Sequence, residues 1–227
     1  MVGTRTGARH RVARIAAVAV ALAVVGGCGG GQPPTAPEAA AAASAAAEES
    51  AEDATDAARE SAEEVRRSEG ELEPPGQATG AFTYNPALAP EGAAMEAAVD
   101  GQTSGTSVTL EVEGLLPDRG YAAHAHANPC GATGDAAGPH YQNTVDPAAA
   151  PGKPSVDPAY ANPQNEIWLD LRTDAEGAGQ AIAEVPFGFT DRAPASVVLH
   201  EAQATATEPG KAGTAGARLG CLDVTFR

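Results

Sequence analysis

Four histidines stand in the C-terminal half of this chain, His124, His126, His140 and His200, while a fifth, His10, lies alone near the start. His124 and His126 form a His-x-His pair within Tyr121 to Ala127. On an extended strand the side chains at i and i+2 leave the same face, so one rigid element can offer two imidazoles to one ion. His140 follows Gly138-Pro139 in a long spacer, and His200 closes the apolar run Ser196-Val197-Val198-Leu199. Taken singly, each is as well explained as a hydrogen-bonded structural histidine. Taken together they stand on a strand, in a loop and at a strand end, positions that a fold can bring to one point. Imidazole nitrogen suits copper, zinc, iron or nickel, and four nitrogens favour tetragonal Cu(II). The chemistry these residues point to is that of a metal centre, with copper as the first expectation.

An ion held by four separate side chains needs a rigid frame. Residues 79–227 supply short apolar runs separated by Gly, Pro, Asn and Asp. Strands are expected at Gly80 to Tyr84, Ala93 to Val99, Ser107 to Glu113, Tyr121 to Ala127, Ile167 to Arg172, Gln180 to Val185, Ala195 to His200 and Leu219 to Phe226. The stretch Ser107-Val108-Thr109-Leu110-Glu111-Val112-Glu113 alternates polar and apolar residues, the mark of a half-buried strand. Eight such strands with turn-rich spacers predict an all-β domain, an antiparallel sandwich or barrel. Two spacers are long, Pro129 to Glu166 and Glu201 to Ala217, and long structureless loops in a compact domain usually carry function.

The front of the chain reads as an address and a tether. Arg5, Arg9, Arg11 and Arg14 precede an apolar run from Ile15 to Val25, too short for a bilayer span but suited to an export signal. It ends in Val25-Gly26-Gly27-Cys28, which resembles the lipobox of bacterial lipoproteins, where the cysteine becomes the acylated N-terminus. Residues 1–27 are therefore expected to be a signal peptide, and Cys28 a lipid anchor to the outer side of a bacterial cell membrane. An ordinary signal peptide with a chance cysteine is the alternative. Residues 28–78 are rich in Ala and Glu. Arg59, Glu63 and Arg67 stand at helical spacing but no apolar stripe is present, so a solvated, partly helical or disordered tether is expected. Without residues 1–27 the chain has 10 basic and 30 acidic residues, a net charge of −20. That excludes a nucleic-acid partner, which needs a basic surface.

Export bears on the remaining cysteines, Cys130 and Cys221, an even pair in an oxidising space. They could bridge and pin the first long loop to the last strand, or remain two buried thiols.

The order and spacing of these residues resemble the copper/zinc superoxide dismutase family. The resemblance lies in Ala122-Ala123-His124-Ala125-His126, Cys130, Ala137-Gly138-Pro139-His140, Val197-Val198-Leu199-His200-Glu201 and Gly213-Thr214-Ala215-Gly216-Ala217-Arg218-Leu219-Gly220-Cys221. It covers roughly residues 79–227 and implies an eight-stranded antiparallel Greek-key β-barrel, an immunoglobulin-like sandwich. It implies that His124, His126 and His200 bind copper alone and that His140 matches the imidazole shared between copper and zinc. It also implies a disulfide between Cys130 and Cys221, and an Arg218 that guides the superoxide anion to the metal. Arg218 and His140 would then be the catalytic residues. Family members dimerise in several ways and some are monomers, so a homodimer is one of the assemblies open to this chain.

The chain departs from the family where zinc would bind. No histidine lies between His140 and His200, and the loop offers only Asp146, Asp157 and Glu166, with Asp170 just beyond. Zinc prefers nitrogen and sulfur ligands in a closed site. A copper-only variant is expected, with zinc unfavoured and Glu166 the carboxylate that orients His140. The loop from Glu201 to Ala217 carries only Glu201, Glu208 and Lys211 as charges, so anion steering falls mainly to Arg218. The other reading is a lipoprotein that binds or buffers copper without catalysis.

Overall fold

The computed structural model describes residues 65–102, 104–150 and 152–227. The signal expected over 1–27, the Cys28 expected to carry lipid and the expected tether as far as 64 lie outside the described residues. Among the described residues no helix is long and apolar enough to cross a membrane.

Strand formation follows the apolar alternation. β4 (Gly105–Glu113) buries Thr106, Val108, Leu110 and Val112 and leaves the residues between them outward. It pairs antiparallel with β3 (Ala94–Gln102) on one side and with β8 (Gly179–Val185) on the other. β1 (Arg66–Glu71) joins the far side of β3 and completes a four-stranded sheet in the order β1-β3-β4-β8. The second sheet has the order β2-β10-β9-β6, from Ala81–Thr83, Arg218–Asp223, Ser196–His200 and Ala123–His126. A small pair, β5 (Gly120–Tyr121) with β7 (Leu171–Arg172), lies at one end. The chain leaves β4, runs through the second sheet and returns as β8 beside β4. That return is the Greek-key connection. Leu72, Met95, Val99, Leu110, Ile167, Leu169, Leu199 and Leu222 fill the core, each essentially inaccessible. Each such side chain contributes about 1.5–3 kcal/mol through burial.

The architecture is the expected all-β antiparallel sandwich, but several boundaries differ. The ordered domain begins by Arg66, not at 79, and Arg67 lies in a strand rather than a helical tether. The stretch Arg66-Arg67-Ser68-Glu69-Gly70-Glu71 has no apolar side chain to betray a buried face. Its inward face is made narrow by Gly70, where a Cβ would lie 2.6 Å from the Cβ of Ala81. Leu72, wholly buried, anchors its end. The second difference is the split of Tyr121 to Ala127 into β5 and β6. The N–H of Ala122 leaves the ladder and donates to Ala202 O at 2.8 Å in the second long loop. Of Ile167 to Arg172 only the last two residues form a strand, yet the rest runs alongside β6. Ala125 donates to Ile167 O at 3.1 Å and Leu169 to Ala123 O at 2.7 Å.

Candidate metal centre

β6 carries His124 and His126 on one face, and its partner β9 aligns Val198 with His124 and Ser196 with His126. His200 ends β9, fixed by its N–H to Ala122 O at 2.8 Å. His140 arrives from the first long loop, which lies back on β6 through a backbone bridge between His126 and His140. The four histidines come together, with one ligand nitrogen from each lying within 4.8 Å of the others. His124, His126 and His200 are buried, and only His140 keeps partial access to solvent.

The outward nitrogen of each ring has its own partner. His126 Nδ1 faces Gly138 O at 3.0 Å and His200 Nδ1 faces Gly216 O at 3.4 Å. Both glycines hold positive φ, 71° and 79°, a conformation that L side chains resist. His140 Nδ1 lies 3.0 Å from Oε2 of Glu166. Glu166 is 2% exposed. It also accepts from Trp168 Nε1 at 2.7 Å and from Gln142 Nε2 at 2.8 Å. A carboxylate buried so deeply is tolerable only with such donors around it. His124 Nε2 lies 2.6 Å from the Thr205 hydroxyl.

These partners constrain the protons. A carbonyl or carboxylate only accepts, so Nδ1 of His126, His140 and His200 must donate, and each Nε2 keeps a lone pair. His126 Nε2 and His200 Nε2 then face each other at 3.2 Å, lone pair against lone pair. Such an approach calls for a cation between or beside them. A proton is disfavoured there. Burial, followed by the nearby His140, holds His126 well below the ordinary imidazole range and brings His200 down to about 3. His124 is likewise held well below its usual value, first by burial and then by His140. Its buried Nδ1 has no hydrogen-bond partner at all. Imidazole nitrogens converging on one point, three of them on rings that burial keeps unprotonated, fit a transition-metal ion that accepts nitrogen.

Arg218 opens β10 directly across from His200. Its guanidinium donates to Gly134 O and Gly138 O, each at 2.6 Å. Gly138 O therefore serves both Arg218 and His126. Burial lowers the arginine's pKa, with Asp135 opposing, but a guanidinium keeps its charge. The same loop is tied from its other end by a disulfide between Cys130 and Cys221, across 91 residues of sequence. Gly134–Ala137 forms a short 3₁₀ turn between these ties.

Many solved structures resemble this chain, among them the following two. The Cu/Zn superoxide dismutase from Brucella abortus is 19% identical over 71% of this chain and 100% of its own, with a TM-score of 0.46. A double mutant of a SOD-like protein from Bacillus subtilis is 15% identical over 70% of this chain and 95% of its own, with a TM-score of 0.39. No family profile and no curated protein matches the chain. Likeness at this level carries no chemistry, which rests on the residues themselves.

The other carboxylates of the first loop turn elsewhere. Asp146 accepts from Ser155 at 2.6 Å and from Ala148 N at 2.8 Å, and Asp157 accepts from Ala159 N at 2.9 Å. Glu166 alone of the three meets His140. Reading the sequence did not find Thr205, Asp170 in its contact with Thr205, or the carbonyls of Gly138 and Gly216. The Gly138 carbonyl has a trace in the sequence, since Gly138 stands two residues before His140. Thr205 has none, because its contact with His124 spans 81 residues.

Proposed function

We propose that this chain is a copper-dependent superoxide dismutase, an oxidoreductase working outside the cytoplasm on a lipid anchor at Cys28. The reading is carried by four imidazole lone pairs meeting beside one fixed guanidinium. His124 would bind through Nδ1, and His126, His140 and His200 through Nε2. Bound copper would supply the one-electron cycling that turns superoxide into dioxygen and hydrogen peroxide. Arg218 supplies a permanent positive charge beside His126 and His200 in a domain that is otherwise acidic. That charge draws in a small anion and lowers the cost of burying it. His140, the most accessible of the four, is the imidazole able to take a proton at Nε2 and pass it on. Glu166 steadies it through either state by accepting at Nδ1. With Nδ1 of His140 taken by a carboxylate, and no further nitrogen donor near, a second site for zinc has little support.

Metal analysis and a superoxide assay on the same sample test this. One copper per chain, little zinc and rapid dismutation are expected. Arg218→Ala should keep the copper and lose about 10²–10³-fold in rate, the scale for removing one positioned electrostatic group. His126→Ala should lose both metal and activity. Copper without dismutation would replace the enzyme by a copper-buffering protein, and stoichiometric tight zinc would overturn the one-metal reading.

A further inference from the structure

His124 is held differently from the other three ligands, and the difference leads to residues outside the ligand set. It alone turns Nδ1 to the centre, while Nε2 lies 2.6 Å from Thr205 Oγ1. Thr205 belongs to the second long loop and has a single hydroxyl proton. Asp170 Oδ1 is 2.7 Å from that hydroxyl, and Asp170 Oδ2 accepts the Thr205 N–H at 2.7 Å. A carboxylate accepts only, so the hydroxyl gives its proton to Asp170. Thr205 Oγ1 then presents a lone pair to His124, and His124 Nε2 must be the donor. The Nδ1 lone pair is left facing inward. Asp170 is itself held to β6, where Oδ1 accepts the Ala123 N–H at 3.2 Å.

We infer that Thr205 and Asp170 are a positioning pair that fixes the tautomer of His124 and ties the loop 201–217 to the metal centre. Neither residue touches the ion. Remove the hydroxyl and His124 Nε2–H loses its acceptor, the next oxygen, Asp170 Oδ1, standing 3.9 Å away and beyond hydrogen-bond reach, so the Nδ1–H tautomer competes, and that form offers no lone pair inward. Asp170 stands four residues after Glu166 on one extended segment. That segment thus orients two of the four imidazoles, His140 directly and His124 through Thr205. This inference rests on reading the four histidines as a metal site, but the tautomer can be measured without metal.

The full-length chain is compared with Thr205→Val and Thr205→Ser. Imidazole ¹⁵N shifts of the metal-free protein read the tautomer. Chelator competition reads Cu(II) affinity, and electron paramagnetic resonance reads the copper geometry. His124 is expected as Nε2–H in the parent and in Thr205→Ser. In Thr205→Val a mixed tautomer is expected, with Cu(II) affinity lower by about 10–100-fold and a changed hyperfine splitting. If Thr205→Val keeps the parent's tautomer, affinity and spectrum, the inference fails, even where thermal stability drops. It fails equally if Thr205→Ser behaves as Thr205→Val does. Should Thr205→Val not fold, Asp170→Asn takes its place, and an unchanged tautomer there overturns the inference. A parent chain that binds no copper overturns the metal reading instead, and the ¹⁵N shifts then still decide the role of the pair.

Discussion

The two four-stranded sheets are built from similar strands but are buried differently. β4 in the first sheet alternates between buried and accessible residues along its length. β6 and β9 in the second are buried at every position. The first sheet has core on one face and water on the other. The second has core on one face, through Ala123, Ala125, Val197 and Leu199. Its other face holds the imidazoles and a smaller cluster of Phe82, Ala137, Val198 and Cys221 under the first long loop. Continuous burial in an antiparallel strand therefore marks a face covered by something other than a sheet. Here the cover is the two long loops.

The largest test of that contrast strips the cover. Cys130→Ser together with Cys221→Ser should lower unfolding free energy by about 4–5 kcal/mol in denaturant titrations, as expected for opening a loop of this length. A loss below about 1 kcal/mol would mean that the cover is held without the bridge. A smaller effect is expected inside the cover. Glu166→Gln keeps shape but removes the charge facing His140, and Cu(II) affinity in chelator competition should fall about 10–100-fold. Unchanged affinity and activity would remove Glu166 from the site. The smallest effect belongs to the open face. Ile182 on β8 is 61% exposed, so Ile182→Thr should change stability by no more than about 0.5 kcal/mol and leave metal binding alone. A cost several times larger would show that this face is covered too.

What the sequence disclosed follows the same division. β4 and β8 were legible because a sheet facing water must alternate. His124 and His126 were legible because a two-residue spacing on a strand is a local fact, and His200 because it ends an apolar run, whereas Arg218 stood out only through the family resemblance of the block around it. β1 was hidden, since Arg66, Ser68 and Gly70 give its inward face no apolar signature. The tether consequently seemed to run a dozen residues too far. Glu166 could be suspected as the orienting carboxylate because His140 lacked nitrogen neighbours. Thr205 could not, because nothing near it in sequence differs from the polar loop around it. Contacts between loops distant in sequence are set by the whole fold, and only the closed structure displays them.

Trp168 gives the site one further property. It is the only tryptophan in the chain. Its indole N–H is bonded to the carboxylate that holds His140, and its ring meets His124 edge-on with centroids 5.7 Å apart. The protein therefore carries its own optical probe, placed between two of the four clustered imidazoles by the fold. Its ultraviolet emission will follow the filling and emptying of the centre without any added label, and a paramagnetic ion there will darken it.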